Sequence, residues 1–331
     1  MEFINQASVV FLSRNTDQPL YNSWRQFLNN PIIEVNHFGS DWFPPEETGV
    51  VISHDVYRRE TYDLFARLIE KRIPTLILSD GILEYRNSWK QKHKNRAGIF
   101  NPVLGHKLAC IGPSQCRFVE SWGNKGKCEN VGLPRLDHIE SQSRSLDGAR
   151  KILISTARQP WFLEEDKRLV VQSMLELKKI SKILEKKGVC KFVWRVTNDL
   201  CDILDEESRE HISVKEEMGE VIAVISTPST LLLEAMKSGK PTAIIDFTNS
   251  PAYVQSPWMI NHATQIESMI KELIDPPIPK LKFQEAILKD SLQVDEPAGP
   301  RLALLAEKMI EEGIRCKAKD IPLYFAENLL D

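Results

Sequence analysis

The chain has 331 residues, 42% hydrophobic and 27% charged, which is ordinary globular usage and excludes a disordered or collagen-like chain. At about 150 residues per domain this is length enough for roughly two domains, each able to bury a core. With 43 basic and 46 acidic side chains the formal charge is -3, so no global positive field advertises nucleic acid and any anion binding must be local.

Short apolar runs alternate with longer amphipathic stretches, the pattern of α/β units built on parallel sheets. Ser8–Leu12 reads as the first strand and Tyr21–Leu28 as the helix after it. Val50–Ser53 is a strand, followed by a helix over Arg58–Lys71 whose apolar Tyr62, Phe65, Leu68 and Ile69 recur at helical spacing. Pro74 leads into a strand, Thr75–Leu78, that ends at Ser79-Asp80-Gly81; β-α-β of this kind begins a doubly wound sheet. Residues 85–119 hold no Asp or Glu but carry Arg86, Lys90, Lys92, Lys94, Arg96, Lys107 and Arg117. The polar stretch Glu140–Asp147 then marks a boundary near residue 145, giving domains over 1–145 and 146–331.

The second half restarts the same grammar. Strands are predicted at Lys151–Ser155, Phe192–Val196, Val221–Ile225 and Pro241–Asp246, with a short one beginning at Val214. Helices are predicted over Glu164–Lys187, Ser229–Lys237, Gln265–Leu273 and Arg301–Glu312, and the last segment, Asp320–Leu330, packs back across the domain interface. Two Rossmann-like α/β domains with a cleft between them is the expected architecture. No apolar run approaches the roughly 18 residues of a membrane span, and Met1–Asn5 lacks the basic and apolar regions of a secretory signal. A cytoplasmic protein is expected. The six cysteines lack CxxC spacing and read as reduced, buried thiols rather than as a metal site.

The most informative segment is Val221-Ile222-Ala223-Val224-Ile225-Ser226-Thr227-Pro228-Ser229-Thr230-Leu231-Leu232-Leu233-Glu234-Ala235. A buried strand empties into a hydroxyl-rich turn that opens a helix, where unpaired N–H groups and the helix dipole suit a phosphate. Ser226, Thr227, Ser229 and Thr230 add hydroxyls, and strand C-termini are where open sheets bind ligands. Glu234 lies further along the helix, placed to accept from the two hydroxyls of a ribose. The competing reading is a capped helix and a solvated glutamate.

This run, continuing Lys237-Ser238-Gly239-Lys240-Pro241, resembles the donor-binding segment of GT-B-fold glycosyltransferases, in particular the bacterial CMP-sugar-dependent sialyl- and Kdo-transferase group. In that group a Ser-Ser/Thr pair holds the nucleotide phosphate, which Ser226-Thr227 or Ser229-Thr230 matches. An acidic-Gly motif supplies a catalytic carboxylate, which Asp80-Gly81 matches. The group also carries a His-Pro pair that grips the nucleotide; no His-Pro occurs here, and Arg195 stands near its place. The resemblance implies a metal-independent transferase with a nucleotide-sugar as co-substrate and no other cofactor, and the sequence carries no Asp-x-Asp metal motif. It implies a glycan or lipid-linked acceptor and a role in bacterial surface polysaccharide or lipopolysaccharide synthesis.

The remaining candidates lie at predicted strand ends. Asp80 is expected as the base, or as the nucleophile of a retaining enzyme, with Glu84 and Arg86 positioning the acceptor. His54-Asp55 point toward the same mouth, where they shuttle a proton or bind sugar hydroxyls. Arg158, after the first strand of the second half, reaches the donor phosphate. The basic stretch, with Trp89 and Phe100 among its cations, suits an anionic acceptor or the inner membrane face, with single-stranded nucleic acid disfavoured. Two rivals stand beside the transferase: a non-hydrolysing sugar-nucleotide epimerase, and a catalytically inactive glycan-binding scaffold of the same fold.

Overall fold

The computed structural model describes residues 6–13, 23–55, 58–90, 99–141, 150–207 and 214–330. The predicted boundary near residue 145 lies outside the described residues, as do Lys92, Lys94 and Arg96 of the basic stretch and the start of the predicted helix at Tyr21. The chain divides into two compact units: Met1–Gly81, Lys92–His138 and Lys289–Asp331 form one, and Ile82–Gln91 with Ile139–Leu288 form the other.

The first unit opens with β1 (Ser8–Leu12), β2 (Ile32–Val35), β3 (Thr48–Ser53), α1 (Arg59–Glu70) and β4 (Thr75–Leu78), and continues with β5 (Lys107–Cys110), α2 (Pro113–Ser121) and β6 (Cys128–Asn130). Its six strands are parallel in the order β2-β1-β3-β4-β5-β6. Strands β1 and β4 are buried along their whole length, as expected of a parallel sheet covered on both faces.

The second unit holds the segment Ile82–Gln91, with a π-helical turn at Arg86–Lys90, and then β7 (Lys151–Ser155), α3 (Glu164–Lys186), β8 (Lys191–Arg195), α4 (Asn198–Leu204), α5 (Val214–Glu220), β9 (Ala223–Ser226) and α6 (Leu231–Lys237). There follow β10 (Thr242–Ile245), β11 (Trp258–Ile260), α7 (Ile266–Ile274) and α8 (Ile278–Ser291), and α9 (Ala298–Ala318) closes the chain. The five strands are parallel in the order β11-β10-β9-β7-β8. Helix α3 packs Met174, Leu177 and Leu184 into the core of this sheet, at the three- and seven-residue spacing of one helical face. Where a strand was expected from Val214, the helix α5 forms instead, because Lys215, Glu216, Glu217 and Met218 are helix formers and one β-branched residue does not outweigh them.

Both sheets share one topology: the founding strand sits inside, its successor adds on one side and the third strand on the other. The switch point lies between β1 and β3 in the first unit and between β7 and β9 in the second.

A single cut with the C-terminal domain running to 331 does not describe this chain. Helix α9 belongs to the first unit, where Leu302, Leu305, Ala306, Met309 and Ile310 share one core with Val9, Phe11, Val50, Ile52 and Leu76. The helix comes so close that a Cβ on Gly49 would stand 2.9 Å from Ile310, and one on Gly313 would stand 2.6 Å from Pro74. Likewise Ile82–Gln91, expected in the first domain, packs in the second unit, held by a hydrogen bond from Ile82 N–H to Thr230 Oγ1 (3.2 Å) and one from Trp89 Nε1–H to Tyr253 Oη (2.6 Å). Composition marks polar stretches, but which sheet an apolar helix face covers is a property of packing. No helix among the described residues is long and apolar enough to cross a membrane.

Candidate functional site

The hydroxyl-rich turn sits where the second sheet's topology would place a ligand, at the carboxyl end of β9 beside that of β7. Register pairs Ser155 with Ser226, Thr227 N–H donates to Ser155 O (3.2 Å), and Ala157 N–H donates to Thr227 Oγ1 (2.9 Å). Ser226 and Ser229 hydroxyls lie 3.0 Å apart. Ser226 and Thr227 are therefore buried struts of the turn, while Pro228, Ser229 and Thr230 are half-buried and form its surface. The bonds of α6 begin with Leu232 N–H to Ser229 O and Leu233 N–H to Thr230 O, and among the described residues the N–H groups of Ser229, Thr230 and Leu231 donate to no carbonyl.

The other end of α6 is closed by a Schellman arrangement, with Lys240 N–H to Ala235 O, Gly239 N–H to Met236 O, and Gly239 at φ +76°. Glu234 is buried at 8% exposure, so the reading of it as a solvated surface charge does not hold. Arg158, past the end of β7, is exposed. Arg195 at the end of β8 is instead tied by Nη1 to Glu217 Oε2 at 3.0 Å, and Glu217 is buried. Part of its charge is thus neutralised inside the fold.

Of the remaining candidates, His54, Asp55 and Asp80 belong to the first unit, past the ends of neighbouring strands, and Glu84 and Arg86 to the second. His54 and Asp55 line a pocket of about 490 Å³ at the carboxyl ends of β1, β2 and β3, with Ser13, Asn36, His37 and Arg58. Ser53 Oγ accepts from Asp55 N–H (3.1 Å), fixing the loop, and Asp55 Oδ2 holds Arg58 Nε at 3.1 Å. Asp80 sits past β4 with its side chain exposed. Its turn is clamped by Gln115, whose Nε2 donates to Ser79 Oγ (3.0 Å) and Gly81 O (3.2 Å) and whose Oε1 accepts from Ile111 N–H (2.8 Å).

Glu84 and Arg86 line a pocket of about 250 Å³ in the second unit, together with Tyr85, Pro228, Asp246, Asn249, Tyr253 and Met259. Arg86 is 1% exposed and its Nη2 is paired with Glu84 Oε1. Burial pushes the Glu84 carboxyl up to about 7, and Asp246 and Asp166 add to the rise while Arg86 opposes it. Asp246 follows β10, and its Oδ1 accepts from Thr248 N–H (3.0 Å) and Thr248 Oγ1 (2.7 Å). Sequence reading gave Asp246 only as the end of a strand, and it passed over Gln115. Asp246 carried a signal, as the first acidic residue after an apolar strand; Gln115, in the first turn of α2, carried none that pointed to Asp80.

The described residues include no group of three or more His, Cys, Asp or Glu side chains able to hold a metal ion, and the six cysteines are free thiols, five of them buried.

No protein-family model matches the chain, and no curated protein matches it by sequence. Among solved structures, the S. aureus MnaA–UDP co-structure aligns over 97% of this chain and 99% of its own, at TM-score 0.60 and 11% identity. The wall teichoic acid polymerase TagF, in a variant soaked with CDPG, aligns over 94% of this chain and 91% of its own, at TM-score 0.57 and 12% identity. The UDP-GlcNAc 2-epimerase from Neisseria meningitidis bound to UDP-GlcNAc aligns over 94% and 99%, at TM-score 0.54 and 14% identity. At such identities the likeness bears on the fold: the chain is an α/β protein of two Rossmann-like units, as in GT-B enzymes.

Proposed function

We propose that this chain is a metal-independent glycosyltransferase that moves a sugar from a nucleotide-sugar donor to a glycan or lipid-linked acceptor in bacterial surface polysaccharide synthesis. The observation that carries the reading is the turn at Ser229–Leu231, with three N–H groups that donate to no carbonyl among the described residues and two half-buried hydroxyls, set at a topological switch point. A phosphate there would take the N–H groups and the hydroxyls of Ser229 and Thr230, with exposed Arg158 adding charge. Glu234 would hold the ribose. Ser226 and Thr227 would shape the turn, and Arg195 would position its surroundings through Glu217. Asp80 is the proposed base or nucleophile, and the pocket of His54 and Asp55 is the proposed acceptor site in the first unit. The nucleotides named for MnaA, TagF and the epimerase, all whole-length fold neighbours, support a nucleotide-bearing ligand.

The whole-length likeness to MnaA and to the Neisseria epimerase favours a second reading, epimerisation of a sugar nucleotide. Product analysis without acceptor separates the two, since only an epimerase turns its substrate over alone. The first experiment is a thermal-shift screen against CMP, the nucleotide of the motif resemblance, and UDP, GDP and dTDP. One of them should raise the melting temperature, because ligand binding to the native state stabilises it, and Glu234→Ala should lose the shift. A flat response to all four would refute the donor-site assignment.

A further inference from the structure

The second-unit pocket contains an unusual demand. Arg86 is 1% exposed, Glu84 occupies only its Nη2, and its Nε and Nη1 are buried with no hydrogen-bond partner among the described residues. A guanidinium so buried needs acceptors, and leaving its donors unmade costs more than an ordinary hydrogen bond returns. The surrounding charge limits what that acceptor can be. Glu84 and Asp246 both line the pocket, and Asp246 already pushes the Glu84 carboxyl upward. A further anion would face two carboxylates against one guanidinium in a poorly screened site.

A sugar hydroxyl answers both conditions, because its oxygen accepts from Arg86 while its proton donates to a carboxylate. Asp246 uses Oδ1 on Thr248, and among the described residues its Oδ2 receives no hydrogen bond. Tyr85, Pro251, Tyr253 and Met259 supply apolar and aromatic walls, and Trp89 Nε1 donates to Tyr253 Oη at 2.6 Å. A volume of about 250 Å³ has room for one sugar ring, being below the usual range of pockets that enclose a larger ligand. Pro228, in the wall, adjoins Ser229 of the phosphate turn, and Ile82 N–H donates to Thr230 Oγ1 at 3.2 Å.

We propose that this pocket receives the sugar ring of the donor and selects a neutral, hydroxyl-rich pyranose over an acidic one, with Arg86 donating to its oxygens and Glu84 and Asp246 accepting from its hydroxyls. The proposal rests on the nucleotide-sugar reading above and narrows it, against the acidic sugars of the CMP-dependent group.

The test is isothermal titration of the full chain in matched series: UDP, UDP-glucose and UDP-glucuronate; GDP and GDP-mannose; dTDP and dTDP-glucose; CMP, CDP-glucose and CMP-N-acetylneuraminate. In the uridine or cytidine series the neutral conjugate should bind at least about tenfold tighter than the acidic one, the scale of one like-charge contact. In the guanosine or thymidine series the neutral conjugate should bind tighter than the free nucleotide. Glu84→Gln should shrink the neutral-over-acidic preference while leaving free-nucleotide affinity unchanged, a pattern that a folding defect would not produce; Asp246→Asn provides the second variant. An acidic conjugate that binds as tightly as the neutral one, or a nucleotide that binds with no gain from its sugar, overturns the pocket assignment and leaves the nucleotide site standing. Silence from every nucleotide would bring down both.

Discussion

Lys107 is fully buried at the start of β5, an exceptional place for an ammonium, and its removal should be among the most damaging single changes in the first unit. Its Nζ lies 2.6 Å from Glu129 Oε1, 2.9 Å from Gly126 O, 2.6 Å from Ala326 O and 2.8 Å from Glu327 O. Three protons thus serve four acceptors. Glu129, itself buried, accepts in turn from Leu329 N–H (2.9 Å) and Leu330 N–H (3.3 Å), so one ion pair fastens the carboxyl-terminal tail to the edge of the sheet. Lys107→Met would strand a buried carboxylate and two tail carbonyls, and breaking one side of such a pair costs about 3–5 kcal/mol. Lys107→Met combined with Glu129→Leu removes both charges, and should recover a large part of that loss. The assay is urea unfolding of wild type, both single variants and the double, with limited carboxypeptidase digestion to report release of residues 326–330. A loss under about 1 kcal/mol for Lys107→Met, or additive losses in the double variant, would refute the argument that the two charges act as one latch.

Other tests probe separate features. Because Glu84 titrates near 7 in the folded chain against 4.5 as an ordinary carboxyl, the folded state binds more protons between those values. Stability should therefore fall as pH rises from 4.5 to 7, by up to about 3 kcal/mol from this group, and the slope should flatten in Glu84→Gln; an unchanged slope would contradict the burial argument. Gly112→Ala would place a Cβ 2.4 Å from the Ser291 backbone and 2.6 Å from Leu292 N, so a loss of about 1–3 kcal/mol in thermal or urea unfolding is expected. A neutral result there would mean that the Ser291–Leu292 backbone yields freely.

What the sequence disclosed was what periodicity and strand-end chemistry can encode. Strands β1, β4 and β7 were legible to the residue, because uninterrupted apolar runs such as Ser8–Leu12 and Thr75–Leu78 need no context. Strand β2 was not, since its residues are only half-buried at the sheet edge and include Glu34. Strand β5 begins with Lys107, whose countercharge comes from β6, and β6 itself, Cys128–Asn130, is too short to show a pattern. Helices α4 and α8 were missed for a related reason: α8 hides its role in Gln284, which accepts from Thr242 N–H and donates to Lys240 O, a bond visible only once the chain has folded back. Among the candidate residues, the hydroxyl turn was legible because it is contiguous. The Glu84–Arg86–Asp246 grouping was not, since 160 positions separate Arg86 from Asp246 and only the packing of Ile82–Gln91 with the second unit brings them to one pocket.

The return of α9 has a consequence for how the protein is made. The second unit has all its segments once Leu288 has been synthesised, whereas the first still lacks the helix that covers Val9, Phe11, Val50 and Ile52. Synthesis runs from the amino end, and domains ordinarily mature in that order; here the earlier-born sheet must wait, half-clothed, for the ribosome to reach residues beyond 298. A released chain ended at Leu288 would carry one finished lobe and one adhesive surface, and a fragment ended near residue 145 would carry the adhesive surface alone.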